Sequence, residues 1–388
     1  MGMQRRRGLC ALFVVTGLIT TSALVAPVAA GPNRRKARLA TRYIVSRQGG
    51  KGAVPGFSKV GATADAILAL SAARRSPKTV DQAIGYLRAQ AKGLRSVGLM
   101  GKVAMAVVAA GRDPRSFGGR NLVWAIRRTR RDSGRYGGTD SRAAVLNHAL
   151  ALLGVFAADG APRISTVRWL KKARCPDGGW QYDAPSRSRD GLHCHDGSAG
   201  DITRTDTNTT SYAVQALNSG GLVVVGEQPR VVGLPPIPRF ETQAARARTP
   251  FDYFRSARDH ARGGWRYSHQ RSAFGSRAYT DANSTALVLQ AYAALRKAPP
   301  PGARRALRRL AYRPCGELTG AFAYTWARSS GEFRPVPSRA DAAREDELGG
   351  PSVIGATVGA VLGLWGRPLP LNPVKNSEPA PPRRRCRA

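Results

Sequence analysis

Apolar residues recur every three or four positions along most of this chain, which is the spacing of one face of an α-helix. The period-two alternation of a half-buried strand is almost absent. Six periodic segments are rich in Ala, Gly and Val and end in short turns: 62–74, 97–111, 143–160, 209–220, 284–297 and 352–366. The segments between them carry arginine and larger apolar residues: 37–48, 80–94, 119–130, 164–173, 251–259 and 304–312. The pattern predicts twelve helices of two alternating kinds.

The alternation of the two kinds of helix predicts how they are arranged. Helices of small residues can pack closely around a crowded axis, whereas helices rich in arginine keep their charge in solvent. A single pair cannot bury its apolar faces, so neighbouring pairs must stack. We expect residues 31–368 to form an all-α (α/α)6 toroid, a double ring of six inner and six outer helices. An open solenoid is the alternative.

Two segments interrupt this helical pattern. Residues 222–249 contain Pro229, Pro235, Pro236 and Pro238, which predicts a long surface insertion between the fourth and fifth pairs. Residues 369–388 are rich in proline and contain a basic run, Arg383-Arg384-Arg385, near their end. This composition predicts a disordered basic tail.

Residues 1–30 have the layout of an export signal. Arg5, Arg6 and Arg7 precede an apolar run over 9–25, and small residues precede Gly31. We expect a cleaved signal peptide and a protein that is secreted or associated with the cell envelope. An uncleaved membrane anchor is the alternative, because the apolar run is almost long enough to span a bilayer.

The chain is strongly basic, with 62 Lys and Arg against 24 Asp and Glu and a formal net charge of +38. Such a field attracts polyanions, which suggests an anionic wall polymer or a membrane surface as partner. The alternative is an arginine-biased composition on solvated helix faces. The sequence contains no recognition-helix, zinc-finger or aromatic-platform motif, so we expect no specific binding of nucleic acid.

The cysteines suit an oxidising compartment. Cys10 lies in the leader, and Cys175, Cys194, Cys315 and Cys386 remain. Cys175 and Cys194 bracket a polar loop, and we predict that they form a disulfide. The run from His193 to Asp196 contains His, Cys and Asp side chains, but their spacing does not match a familiar zinc site. We therefore expect no metal and no cofactor.

Two long stretches of the chain repeat each other. Gly178-Gly-Trp180-Gln-Tyr182 is followed by Asp206-Thr-Asn208-Thr-Thr210, and Gly263-Gly-Trp265-Arg-Tyr267 is followed by Asp281-Ala-Asn283-Ser-Thr285. Decayed copies of the aromatic part occur at 134–136 and 320–324. This pattern resembles the repeats of squalene-hopene cyclases and protein prenyltransferase β-subunits, and cobalamin carriers have a similar toroid. The resemblance covers about residues 37–366 and implies the terpenoid cyclase toroid.

The same motifs depart from this family where its chemistry is done. Squalene-hopene cyclases protonate an alkene with the middle acid of Asp-x-Asp-Asp-Thr, and that acid must be held protonated. Here the matching residues are Asn208 and Asn283, and the cysteine of the prenyltransferase zinc motif would also be Asn208. We therefore expect no catalytic residue. An active terpene cyclase or prenyltransferase is the alternative, and it would need Asp206 or Asp281 raised in pKa by burial.

The repeated motifs also supply candidate ligand-binding residues. Asp206, Asn208, Asp281 and Asn283 would form a polar ring at one mouth of the toroid, with apolar walls from Trp180, Tyr182, Trp265 and Tyr267. Helix capping and structural bracing are the alternatives for these residues. The leading hypothesis is an exported non-catalytic protein that binds an apolar or amphipathic small molecule, isoprenoid-like or corrinoid-like. A wall-associated interaction module is a further alternative.

Overall fold

The structure is a computed structural model that describes most of the chain after the leader. The described residues are 31–138, 142–159, 161–188, 191–194, 205–221, 248–269, 280–312, 318–329, 332–336 and 351–379. The predicted signal peptide, residues 222–247 of the predicted insertion, Cys315 and Cys386 lie outside the described residues.

Twelve α-helices occur in the described ranges, and each corresponds to a predicted helix to within a few residues at its ends. They are α1 Pro32–Ser46, α2 Lys59–Ala72, α3 Pro77–Gln90, α4 Val97–Ala109, α5 Leu122–Arg128, α6 Ala144–Asp159, α7 Ile164–Lys172, α8 Thr207–Ser219, α9 Pro250–Ser256, α10 Ala282–Ala294, α11 Ala303–Arg309 and α12 Pro351–Trp365. None of these described helices is both long enough and apolar enough to cross a membrane.

Short antiparallel strand pairs lie in the connections between helices. β1 (Trp180–Gln181) pairs with β4 (Thr205–Asp206), and β2 (Ser186–Ser188) pairs with β3 (Gly191–His193). β5 (Thr325–Ser329) pairs with β6 (Glu332–Val336). The strands are too short to form a layer of their own, so the fold remains all-α.

The even-numbered helices form a closed inner ring. Each contacts the next even-numbered helix along the chain, and α12 contacts α2 as well as α10. The odd-numbered helices lie outside this ring: α5 contacts α4 and α6, α7 contacts α6 and α8, and α1 contacts α12 and α2. The contact between α12 and α2 confirms the predicted closed toroid and excludes the open solenoid.

Glycine allows the inner helices to approach one another. A Cβ atom on Gly154 of α6 would lie 2.6 Å from the Cα atom of Gly101 in α4. A Cβ atom on Gly363 of α12 would lie 2.8 Å from the Cα atom of Ala286 in α10. Larger residues would force these helix pairs apart, which explains the small-residue composition of the inner helices.

The repeated aromatic residues fasten the outer ring to the inner ring. The Trp180 ring nitrogen donates to the Leu170 carbonyl of α7 at 2.8 Å, and its backbone amide donates to Thr210 Oγ1 of α8 at 2.9 Å. Trp265 makes the matching bonds to the Phe254 carbonyl at 2.7 Å and to Thr285 Oγ1 at 3.0 Å. These contacts make each tryptophan a brace between an outer and an inner helix.

The two decayed copies of the motif make the same inward bond. The backbone amide of Phe322 donates to Thr357 Oγ1 of α12 at 2.9 Å. The backbone amide of Tyr136 donates to His148 Nδ1 of α6, also at 2.9 Å. His148 therefore occupies the position that threonine holds in the other three copies.

Residues 369–379, which follow α12 and were predicted to be disordered, pack against the toroid. Leu369 and Leu371 are only 4% and 5% exposed. The amide of Val374 donates to the Ala109 carbonyl at the end of α4, and Arg75 donates to the Pro379 carbonyl and forms an ion pair with Glu378. We name residues 367–379 the C-terminal strap, because they run across the ring at the ends of α4 and α2. The predicted tail beyond Pro379, including Arg383–Arg385, lies outside the described residues.

Candidate functional site: the lumen of the toroid

The bracing contacts reveal which face of each inner helix points toward the ring axis. Thr210, Thr285, Thr357 and His148 face the outer ring, because they accept bonds from the bracing aromatic residues. Thr63 of α2 likewise accepts from the backbone amide of Val54 at 2.9 Å. An α-helix turns by about 100° per residue, so residues two positions away from these lie on the opposite face.

The residues on that opposite face line a lumen inside the ring. Asp65, Leu146, Asn208, Tyr212, Asn283 and Gly359 are partly exposed, and Gly355 is exposed, although most neighbouring positions on their helices are buried. Partial exposure in the middle of a closed ring means that the lumen has free space. We define the lumen by the following residues: Asp65, Lys102, Leu146, Leu150, Asn208, Tyr212, Asn283, Leu287, Gly355 and Gly359.

An ion pair lies in the lumen between α2 and α4. Lys102 Nζ is 2.8 Å from Asp65 Oδ2, and the two side chains are 19% and 32% exposed. Burial by itself lowers the pKa of Lys102, but the Asp65 carboxylate outweighs it, and the pKa is raised above its ordinary value. Lys102 is therefore charged at neutral pH.

Tyr212 of α8 extends toward this ion pair from across the ring. Burial raises the pKa of its hydroxyl, while the Lys102 ammonium lowers it and the Asp65 carboxylate raises it. These influences place Tyr212 near both charges. Three inner helices thus contribute polar groups to one region of the lumen.

The remaining inner helices supply most of the apolar lining. Leu146 and Leu150 lie on α6 and Leu287 lies on α10, where Leu150 and Leu287 are 6% and 8% exposed. Gly355 of α12 adds no side chain, and a Cβ atom built there would meet nothing within 4 Å. The lumen therefore has a charged region beside an aliphatic one.

The two asparagines of the repeated motif lie on the lumen-facing side of their helices. Asn208 Oδ1 accepts a hydrogen bond from Ser284 Oγ of the next inner helix at 3.0 Å. Asn283 Oδ1 lies on the α12 side, where a Cβ atom on Gly359 would be 3.3 Å away. Both amides are partly exposed.

The two aspartates of the motif are helix caps rather than lumen groups. Asp206 and Asp281 are 1% and 4% exposed, and each accepts a 2.7 Å bond from a backbone amide, of Thr209 and Ser284 respectively. Burial raises the pKa of both carboxyl groups to about 7, against the lowering effect of these bonds. Within the described residues, Asp206 Oδ2 is buried and has no hydrogen-bond partner.

The predicted tyrosines lie over the starts of the inner helices. The Tyr267 carbonyl accepts from the Thr207 amide at 2.7 Å, and the Tyr182 carbonyl accepts from the Val145 amide at 3.2 Å. Burial raises the pKa of Tyr267 strongly and Asp206 raises it further, which places this tyrosine near the buried carboxyl group. The two tyrosines therefore lie next to the starts of α8 and α6, whereas Trp180 and Trp265, at 0% and 1% exposure, are bracing residues of the core.

The predicted disulfide joins Cys175 to Cys194, with a Cα–Cα distance of 5.9 Å. His193 beside it is exposed, and His195 and Asp196 lie outside the described residues. Among the described residues, no three His, Cys, Asp or Glu side chains are grouped so that they could hold a metal ion.

Sequence reasoning missed Asp65, Lys102 and Tyr212, which carry the polar chemistry of the lumen. A signal for the first two was present, because each is a charged residue inside an otherwise apolar, small-residue helix. Such a residue is expensive to bury unless it is paired. Their pairing could not be deduced, because it depends on the contact between α2 and α4.

Solved structures that are similar to this chain include a terpene cyclase and a protein from Actinoplanes. The chain is similar to an apo form of a variant of the type II terpene cyclase MstE from Scytonema, with 13% identity, a TM-score of 0.50 and coverage of 86% of this chain and 96% of that chain. It is also similar to a protein from Actinoplanes, with 16% identity, a TM-score of 0.47 and coverage of 86% and 98% of the two chains. The cyclase match supports a terpene-cyclase-like fold. No protein-family model matches the sequence, and no curated protein matches it significantly.

Proposed function

We propose that this protein binds an amphipathic small molecule in the lumen and performs no chemistry on it. The observation that carries the proposal is the pairing of a charged region, Asp65 with Lys102, and an aliphatic region within the same lumen. A site of this kind orients a ligand by its few polar groups and holds it by apolar contact. An isoprenoid-like ligand suits the leucine and glycine lining better than a corrinoid-like one, because the lining is aliphatic and offers no histidine.

The accessibility of the groups at the mouth supports a binding role. The polar side chains that reach the lumen there are the amides of Asn208 and Asn283. An amide cannot deliver the proton that an alkene requires. The neighbouring carboxyl groups of Asp206 and Asp281 are buried and bound to helix amides, so a ligand in the lumen does not meet them.

We also propose that the protein works outside the cytoplasm, secreted or bound to the cell envelope. The Cys175–Cys194 disulfide supports this proposal, because such bonds persist in oxidising compartments. The basic run and apolar segment of residues 5–25 support it independently.

Mass spectrometry of molecules that co-purify with the mature protein tests the binding proposal. We expect an amphipathic molecule in the wild-type sample and its loss from Gly355→Leu, which adds bulk at a position where a Cβ atom meets nothing within 4 Å. Gly85→Leu is the matched control, since Gly85 lies exposed on outer helix α3 and a Cβ atom built there also meets nothing within 4 Å. An empty wild-type protein that takes up nothing from a lipid extract would overturn the proposal, and so would equal ligand retention by both variants.

A second candidate function is supported by one observation, the pKa of about 7 at Asp206 and Asp281. A carboxyl group that is partly protonated at neutral pH is a general acid if a substrate can reach it. Turnover of squalene or farnesyl diphosphate that is abolished by Asp206→Asn, with the fold intact by circular dichroism, would establish a cyclase or prenyltransferase-like enzyme. Complete absence of turnover would leave the binding role.

A further inference from the structure

A groove on the outside of the toroid is separate from the lumen. It has a volume of about 660 Å³ and lies between the end of α3 and helix α5. Its lining comprises Leu94, Arg95, Met100, Gly119, Arg120, Asn121, Trp124, Ala125, Arg128 and Thr129. This set contains arginines and an aromatic residue and no acidic residue.

Trp124 is the unusual member of this groove. Its side chain is 56% exposed, whereas Trp180 and Trp265 are fully buried. The Arg128 guanidinium lies over the indole, 4.4 Å from the ring centroid. This arrangement orders both side chains and leaves indole surface open to the groove.

The positive charge of the groove is not neutralised within the described part of the chain. None of the described residues forms an ion pair with Arg95, Arg120 or Arg128. Arg120 and Arg95 donate to the Leu94 carbonyl, at 2.6 and 3.5 Å, and Arg120 also donates to the Ala91 carbonyl just beyond α3. These bonds cover backbone oxygens that would otherwise repel an anion and hold the arginines at the groove wall.

We propose that this groove binds an anionic glycan, a sugar polymer that carries carboxylate or phosphate groups. The open indole surface of Trp124 suits the apolar face of a sugar ring. The guanidinium groups of Arg128 and Arg95 suit the charged substituents, because arginine offers planar, bidentate donors to carboxylate and phosphate. The net charge of +38 would raise the local concentration of such a polymer.

The shape of the site favours a polymer over a bilayer surface. Trp124 lines a concave groove, whereas insertion into a membrane interface requires apolar side chains that protrude from the surface. A strand of polymer can enter a groove and contact the indole and the arginines together.

Calorimetric titration with polygalacturonate fragments tests the proposal. We expect binding that weakens as salt is added and that is lost with fully methyl-esterified fragments, whose sugar rings are the same but uncharged. Trp124→Ala and Arg128→Ala should each weaken binding about tenfold or more, as is usual for aromatic and arginine anchors. Arg309→Ala is the charge-matched control, since Arg309 is likewise the exposed last residue of a seven-residue outer helix.

Four further outcomes test whether binding is specific to a glycan, localised to the groove and independent of the lumen. Inorganic polyphosphate that binds as tightly as the fragments, with no effect of Trp124→Ala, would overturn the glycan site and show general attraction to polyanions. Tight binding to phosphatidylglycerol vesicles that is lost in Trp124→Ala, with no binding of fragments, would identify a membrane surface instead. Equal losses in Arg128→Ala and Arg309→Ala would also contradict a localised site. Retention of the lumen ligand in Trp124→Ala would show that the groove and the lumen are independent.

Discussion

The backbone amide of Leu369 donates a 2.8 Å hydrogen bond to Oε1 of Gln215, a buried side chain of inner helix α8. The equivalent glutamine of α10, Gln290, has a buried Oε1 atom without a partner in the described part of the protein. The strap therefore satisfies one polar group of the inner ring, and a buried acceptor costs stability when it is left unpaired.

We predict that truncation after Gly366 destabilises the protein. The truncation removes the bond to Gln215, the ion pair of Arg75 with Glu378 and the buried side chains of Leu369 and Leu371. Burial of two leucines alone is worth about 3 kcal/mol or more. Urea unfolding followed by circular dichroism should show a lower free energy of unfolding. Truncation after Pro379 is the control and should leave this free energy unchanged; equal losses in both truncations would contradict a role for the strap.

We predict that the buried carboxyl groups of Asp206 and Asp281 make stability depend on pH. Burial raises their pKa to about 7, whereas an aspartate in the unfolded chain has a pKa near 3.9. Between these values the folded protein keeps protons that the unfolded chain has released. The free energy of unfolding therefore falls as pH rises from about 4 to about 7. The stabilisation from the two protonated carboxyl groups is fully present below about pH 4.

The double variant Asp206→Asn with Asp281→Asn tests this dependence. An asparagine is neutral at all these pH values and still accepts the capping bond through Oδ1. We expect its unfolding free energy to vary less between pH 4 and 7 than that of the wild type, by up to about 4 kcal/mol for each carboxyl group. Parallel pH profiles for the two proteins would show that the carboxyl groups titrate normally.

We predict an opposite pH effect from His148. Burial lowers its pKa to about 3, while the ring accepts from the Tyr136 amide and its other nitrogen bonds the Thr166 carbonyl at 2.9 Å. An unfolded histidine has a pKa near 6.5, so below that pH the unfolded chain binds a proton that the folded protein does not. This contribution to the free energy of unfolding is complete above pH 6.5 and is lost as pH falls toward 3.

His148→Thr is the informative substitution, because threonine holds this position in the other copies. We expect it to remove the acid-side loss of stability while lowering stability at pH 7.5 by about 2 kcal/mol, since it leaves space beside Trp169. Unfolding experiments at pH 5 and pH 7.5 would measure both effects. A variant with the same pH difference as the wild type would contradict the assignment.

We predict that the Cys175–Cys194 disulfide contributes to stability by restricting the unfolded chain. The cysteines are 19 residues apart, and closing a loop of this length is worth about 3 kcal/mol. Cys194→Ser should lower the melting temperature in non-reducing buffer. Added reductant should lower it in the wild type but not in this variant, and a reductant effect of equal size in both would rule out this bond as the cause.

The sequence by itself determined the twelve helices and their alternation, whereas the contact between α12 and α2 decided that the ring is closed. Helical period, small residues and repeated Gly-Gly-Trp motifs are local signals, and a helix forms from residues three and four positions apart. The disulfide could also be predicted, because its two cysteines bracket one loop.

Only the tertiary structure decided which residues face the lumen and which hold the rings together. Trp180 and Trp265 were predicted as ligand walls, yet they bond to helices on either side and are buried in the core. Residues 369–379 were predicted to be disordered from their composition, but their partner Gln215 lies 154 residues earlier in the chain. Asp65 and Lys102 meet because α2 and α4 are neighbours in the ring. Contacts of this kind depend on how distant segments pack, and local propensity carries no information about that packing.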